Sequence, residues 1–203
     1  MAAVAGVILA GGLSRRFGGG DKTAYRLGGR SLLQRVTDRL SPTCSPVLLN
    51  ANGEPSRFAL GLDVVPDALP GHPGPLAGLL AAMDHLAVHF PAAEWLVSAP
   101  GDAPFLPPDL VPRLLAEKGA MPAACAASGG RLHPVIGLWH VDLRDRLRRM
   151  LVEEDERRAG RFAAAAGAVR VDWEALPYDP FLNINTPEDA ATAESVIAAY
   201  PDA

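Results

Sequence analysis

The stretch Gly11-Gly12-Leu13-Ser14-Arg15-Arg16-Phe17-Gly18-Gly19-Gly20-Asp21-Lys22 places five glycines, two arginines and a lysine directly behind a short apolar run, Val4 to Ala10. Glycine after a strand lets backbone N–H groups approach a phosphate closely and adopt positive φ. Arg15, Arg16 and Lys22 add fixed positive charge to that frame, which suits a triphosphate and a pyrophosphate leaving group. The two familiar phosphate loops do not match. A Walker A loop needs Gly-Lys-Ser/Thr, but Asp21 separates Gly20 from Lys22, and the dinucleotide fingerprint needs a third glycine where Thr23 stands.

Asn50, Asp67 and Asp102 stand out next, because each closely follows a short apolar run: Val47 to Leu49, Leu62 to Val65 and Trp95 to Ala99. Such runs, bounded by turn residues, read as strands buried on both faces. Helical patterns lie between them. Ser31 opens one with Leu32, Leu33, Val36 and Leu40 on one side, a second runs from about Leu76 to Val88, and prolines start a third from Pro107 to Lys118. Ala123 to Ala127 and Val135 to Trp139 read as a strand pair around Gly129-Gly130. Two charged helices between Val141 and Ala166, a strand near Val169 to Val171 and a helix from Pro187 to Ala199 complete the pattern.

Strands alternating with helices predict one three-layer α/β domain over residues 1–203, with a mostly parallel, Rossmann-like central sheet. Ligands of such sheets bind outside the carboxyl ends of the strands. Gly11, Asn50, Asp67 and Asp102 all fall there, which locates the expected site.

Composition narrows the partners. Across 203 residues, 49% are hydrophobic and 21% charged, enough for a sizeable core and too apolar for a disordered chain. The formal charge of −4 offers no global attraction to nucleic acid, so an anionic ligand must be held by local groups. Cys44 and Cys125 lack zinc-type spacing and imply no disulfide scaffold, which suits a reducing compartment. No segment reaches the roughly 20 apolar residues of a membrane span. The expectation is a soluble, cytoplasmic protein without nucleic-acid or membrane partners.

The order Leu9-Ala10-Gly11-Gly12, then Ser14-Arg15-Arg16, then Gly19-Gly20 and Asp21-Lys22 resembles the signature of molybdenum cofactor guanylyltransferases, within the wider Rossmann-like nucleotidyltransferase group. The likeness continues at Asn50-Ala51-Asn52, Pro66-Asp67, Gly74-Pro75-Leu76-Ala77-Gly78, Gly101-Asp102-Ala103-Pro104, His133-Pro134 and Asn183-Ile184-Asn185-Thr186-Pro187-Glu188. These blocks come in the family's order and span nearly the whole chain.

The resemblance implies that GMP passes from GTP to the phosphate of molybdopterin carrying molybdenum, giving the guanine dinucleotide cofactor and pyrophosphate. It assigns nucleotide binding to Leu9, Ala10, Gly11, Gly12, Lys22, Asn50, Asp67 and Asp102, with Asp102 as the Mg²⁺ ligand. A single carboxylate suffices for Mg²⁺, whose shell is completed by water and substrate phosphates. Lys22, Arg15, Arg16 and Asp102 are the expected catalytic set, acting by positioning and charge neutralisation. On the acceptor side it suggests His133, Arg157, Arg158, Asn183 and Asn185. Molybdoenzymes or other proteins of cofactor biosynthesis are possible partners.

Alternatives stay open at this point. A cytidylyltransferase of the same cofactor, a sugar-phosphate nucleotidyltransferase and a non-catalytic nucleotide-binding accessory protein share many of these features. Gly11-Gly12 leans towards guanine, because cytidylyl relatives tend to read Leu-Ala-Ala-Gly. Taken alone, Asn50, Asp67 and Asp102 are also good turn formers, and Asn185-Thr186-Pro187-Glu188 reads as a helix cap. Asn183 and Asn185 alternate in an extended segment and can share one face. His85 and His89 share a helix face but lack the zincin glutamate, and read as non-functional. The arginines from Arg144 to Arg161 are interleaved with acids and read mostly as solvated, salt-bridged helices.

Overall fold

Val4 to Leu9, strand β1, alternates its side chains between two buried layers: Val4 and Ile8 enter one hydrophobic cluster, Ala5 and Val7 the other. That double burial is why the segment reads as an unbroken apolar run. The structure is a computed structural model and describes residues 3–10, 25–54, 58, 60–67, 69 and 74–201.

After β1 the described chain resumes in a small hairpin, β2 (Arg26–Leu27) and β3 (Arg30–Ser31), then α1 (Leu32–Leu40), β4 (Val47–Asn50), β5 (Asp63–Val65) and α2 (Pro75–His89). β6 (Trp95–Pro100), α3 (Leu110–Glu117), the antiparallel pair β7 (Ala123–Ser128) and β8 (Arg131–His140), α4 (Arg144–Val152) and α5 (Ala159–Ala165) follow. β9 (Val169–Trp173) and α6 (Pro187–Ala199) close the fold. Among the described residues the strands form a seven-stranded sheet in the order β5-β4-β1-β6-β8-β7-β9. Of these seven, only β8 runs against its neighbours; the other pairings, β5–β4, β4–β1, β1–β6 and β7–β9, are parallel. The expected mostly parallel α/β architecture is therefore present.

One layer of helices, α1 and α3, contributes Leu33, Val36, Leu40, Leu110 and Leu114 against Ile8, Leu49, Val97 and Leu138. The opposite layer, α2, α4 and α5, packs Leu79, Met83, Leu147 and Phe162 against Val7, Leu48, Leu96 and Trp139. A third cluster joins Leu27 and Leu32 to Phe105, Ile184, Ala190 and Ala193, so α6 holds the hairpin that follows the glycine-rich segment. No helix among the described residues is long and apolar enough to cross a membrane.

Several boundaries differ from expectation for identifiable reasons. α3 begins at Leu110 rather than Pro107, because residues 107–110 form a turn closed by Leu110 N–H to Pro107 C=O at 3.0 Å. β8 starts four residues before Val135, and its register with β7 jumps from Cys125–Gly137 to Ala126–His133. Pro134 lies inside that irregularity, where its missing N–H cannot serve a ladder. The β2–β3 hairpin is too short for periodicity; it turns on Gly28 and Gly29, both with positive φ.

Phe162 is fully buried and its ring lies 5.0 Å from that of Trp139. Phe162→Ala is expected to lower unfolding free energy by about 3–5 kcal/mol. A urea titration should show a reduced midpoint at unchanged slope.

Candidate active site

The carboxyl edge of the sheet is extended past the strands by backbone bonds. Ala10 N–H donates to Asn50 C=O at 2.9 Å and Gly101 N–H donates to Leu9 C=O at 3.0 Å. β1 thus lies between β4 and β6 to its very end. Because the chain goes from β1 to β4 on one side and later returns as β6 on the other, the order switches between β1 and β6. A crevice opens at such a point.

On the β4 side, Asn50 is 3% exposed. Its Nδ2 donates both to Val65 C=O at 3.0 Å and to Asp67 Oδ1 at 3.0 Å. Asn52 Nδ2 donates to Asp67 Oδ2 at 2.9 Å, and its Oδ1 accepts from Asp67 N–H at 3.0 Å. Two asparagines therefore fix one carboxylate, and Asn50 has no amide proton left for a ligand. Asp67 keeps further lone-pair sites and stays half-buried.

Gly78, in the first turns of α2, permits this arrangement. A β-carbon there would fall inside the Asn50 amide and 2.9 Å from Leu9 Cδ2. Glycine inside a helix costs about 1 kcal/mol relative to alanine, a price accepted where backbone must approach closely. α2 can thus rest directly on the ends of β1 and β4.

On the β6 side, Asp102 follows the strand as expected. Its Oδ1 is withdrawn from solvent, and its C=O accepts from Ile184 N–H at 3.0 Å. Asp102 offers a hard carboxylate oxygen, the donor type that suits a divalent cation sharing phosphate oxygens. The contact with Ile184 brings the segment of Asn183 and Asn185 alongside. Ile184 is fully buried while both asparagines are exposed, so they share the outward side. The cap of α6 is Thr186, reciprocated by Asp189, so neither asparagine serves as the cap side chain.

His133 lies at the start of β8, with Nε2 2.8 Å from Ser128 Oγ and its ring centroid 5.1 Å from that of Phe181. Ser128 Oγ also donates to Asp179 Oδ1 at 2.8 Å. Arg157 and Arg158 lie between α4 and α5, each engaged by a nearby acid. Arg157 Nε meets Asp155 Oδ1 at 2.8 Å, and Arg158 grips both oxygens of Glu156 at 2.8 and 2.6 Å. Those bonds hold the Glu156 carboxyl down at about 2. Glu156 takes Nε and one Nη2 hydrogen of Arg158, which leaves the outer N–H groups of its exposed guanidinium for a phosphate.

Gly11, Gly12, Arg15, Arg16 and Lys22 lie outside the described residues. His85 and His89 stack at 4.4 Å between centroids, with His89 about 16 Å further along α2 than Gly78. Burial pushes the Cys44 thiol up to about 11 and that of Cys125 to about 12, which removes both as nucleophiles near neutral pH. Ser128 and Asp179 were not singled out from sequence, and Asn52 and Gly78 stood there only inside blocks of the family likeness, with no role assigned to either. Gly78 also carried a local signal, as a glycine inside a helical pattern.

Residues 6–169 match the family described as the MobA-like NTP transferase domain. A molybdenum cofactor guanylyltransferase of Bradyrhizobium sp. (strain ORS 278) is 55% identical over 199 residues, covering 97% of this chain and 94% of the relative. A second, from Rhodopseudomonas palustris (strain BisB5), is 54% identical over 193 residues, 94% of this chain and 92% of its own. Among solved structures, molybdopterin-guanine dinucleotide biosynthesis protein A from Archaeoglobus fulgidus superposes with a TM-score of 0.72 at 24% identity, covering 96% of this chain and 98% of that one. That last likeness speaks to the fold.

Gly78→Ala should push the Asn50 amide out of its bonds to Val65 and Asp67. The expected result is about tenfold weaker binding of a nucleoside triphosphate by calorimetry, the equivalent of one lost hydrogen bond. Gly160→Ala, where a β-carbon meets nothing within 4 Å, should leave binding unchanged.

Proposed function

The chain belongs to the MobA-like NTP transferase family, and from that premise we propose that it transfers GMP from GTP to the terminal phosphate of molybdopterin. An oxygen of the acceptor phosphate bonds to the α-phosphorus as the α–β bridging bond breaks, and pyrophosphate leaves. The observation that carries this reading is the placement of the Asn50–Asp67 pair and of Asp102 along one carboxyl edge of the sheet, the pair past β4 and β5 and Asp102 past β6, with β1 between them. Guanylyltransferase relatives at 54–55% identity over nearly the whole chain support guanine as the base and molybdopterin as the acceptor.

Each residue then has a role. Asp67, held open by Asn50 and Asn52, accepts from the N–H edge of guanine or from ribose hydroxyls. Leu9 and Ala10 wall the nucleotide at the end of β1, ahead of Gly11 and Gly12, whose N–H groups meet phosphate. Lys22, Arg15 and Arg16 neutralise the triphosphate and the departing pyrophosphate. Asn183, Asn185 and His133 face the acceptor; Arg157 and Arg158 are secondary contacts, because neighbouring acids already offset part of their charge.

Asp102 would hold Mg²⁺, which supplies charge neutralisation at the triphosphate. The acceptor phosphate is already an anion near neutral pH, so no side chain needs to remove a proton from it. What the protein contributes is in-line placement and preorganised charge.

Asp102→Ala should cut kcat on the order of a thousandfold in a pyrophosphate-release assay with GTP, Mg²⁺ and molybdopterin. The thermal midpoint should stay close to that of the wild type. Unchanged turnover would contradict the metal assignment, and wild-type chain that released no pyrophosphate would contradict the reaction.

A further inference from the structure

Ser128 closes β7, is 1% exposed, and sits between His133 and Asp179. A carboxylate can only accept, so the one hydroxyl proton of Ser128 goes to Asp179 Oδ1. None is left for the imidazole. Ser128 Oγ must therefore accept from His133, and Nε2 must carry hydrogen. The same proton rules out Ser128 as a nucleophile activated by His133, since that chemistry needs the hydroxyl to donate to the ring.

The tautomer follows from the protonation state. Burial, the largest influence, and then the Arg131 charge push the His133 pKa below its ordinary value, against the pull of Asp179. Among the described residues those two are the charged groups acting on the ring, one from its own strand and one from the segment packed over it. A neutral imidazole with Nε2–H leaves its lone pair on Nδ1, to which no described residue donates.

The same carboxylate organises the chain above the site. Asp179 Oδ1 also accepts from Phe181 N–H at 2.9 Å, and Phe181 packs on the His133 ring. Three residues later Ile184 N–H is tied to the C=O of Asp102. Residues 179–184 thus form a strap across the carboxyl edge, fixed at one end by Ser128 and at the other by Asp102. His133 sits beneath it, turned there by the irregularity at Pro134.

We propose that Ser128 and Asp179 are positioning residues that fix His133 as the Nε2–H imidazole, so that Nδ1 accepts a hydrogen bond from a ring N–H or amine of the heteroaromatic acceptor. This rests on the acceptor reading above and adds a specificity element to it. An acceptor lacking that donor would leave Nδ1 unpaired in a half-buried place, which costs discrimination energy.

The test uses the full chain and two readouts. Long-range ¹⁵N NMR of wild-type protein at pH 7.5 should show His133 neutral with hydrogen on Nε2. In Asp179→Ala, Ser128 Oγ loses the carboxylate it donates to and its hydroxyl proton is released towards the ring, so the signature should invert to Nδ1–H. With that inversion, kcat/KM for molybdopterin should fall about tenfold to a hundredfold, while KM for GTP stays within about twofold. If Asp179→Ala does not fold, Ser128→Ala should show the same selective loss on the acceptor side. An imidazolium or Nδ1–H signature in the wild type overturns the proposal, and so does an unchanged acceptor kcat/KM in a folded variant. Wild-type chain inert with GTP and molybdopterin would sink the functional reading and the acceptor contact with it, while the tautomer result, which needs no substrate, would still stand or fall alone.

Discussion

Asn50 is buried under the first turns of α2, and the carboxyl edge of the sheet is placed relative to it. Both of its amide protons are spent within the protein, one on the β5 carbonyl of Val65 and one on Asp67. Burying an amide without partners would cost on the order of 1–3 kcal/mol, so this side chain locks β4 to the end of β5 rather than tolerating slack. The absence of a β-carbon at Gly78 lets the helix close over it. One glycine and one asparagine together convert three strand ends into a rigid wall with an aimed carboxylate.

Facing that wall across the switch point is a second fixed unit. Asp102 is bound through its backbone to Ile184, and Ile184 belongs to the cluster that seats α6 against the β2–β3 hairpin. The chain leaving β1 therefore re-enters the described structure at a place held by the same segment that steadies Asp102. A protein carrying −4 overall must concentrate positive charge locally to hold a triphosphate. Arg15, Arg16 and Lys22 are the residues proposed to do so.

The architecture was legible because burial on both faces leaves a signature. Runs such as Val4 to Leu9 and Trp95 to Pro100 can be little else in an alternating α/β chain, and the end of each points to a site residue. The cap of α1 at Ser31 and the extent of α6 from Pro187 to Ala199 followed from local chemistry alone. What sequence could not give was partnership across distance. Asn50 was legible as a polar residue behind a strand, but its spending both protons on β5 and Asp67 depends on contacts 15 and 17 residues away. Ser128 and Asp179 are 51 apart and resemble an ordinary turn serine and loop aspartate until the fold joins them. Asn185 was read as a potential cap, and the role went to Thr186 because Asp189 completes a reciprocal pair with it.

The central claim is that Asp67 and Asp102, on opposite sides of one crevice, receive the two ends of a single GTP. Crystals grown with GTP and Mn²⁺ in place of Mg²⁺ test it most directly, since the metal can be located by its anomalous scattering. An Mn²⁺ peak is expected at coordination distance from the Asp102 carboxylate, bridging phosphate oxygens, with the guanosine end of the nucleotide hydrogen-bonded to Asp67. A metal remote from Asp102, or a nucleoside seated away from the Asn50–Asp67 pair, would contradict it.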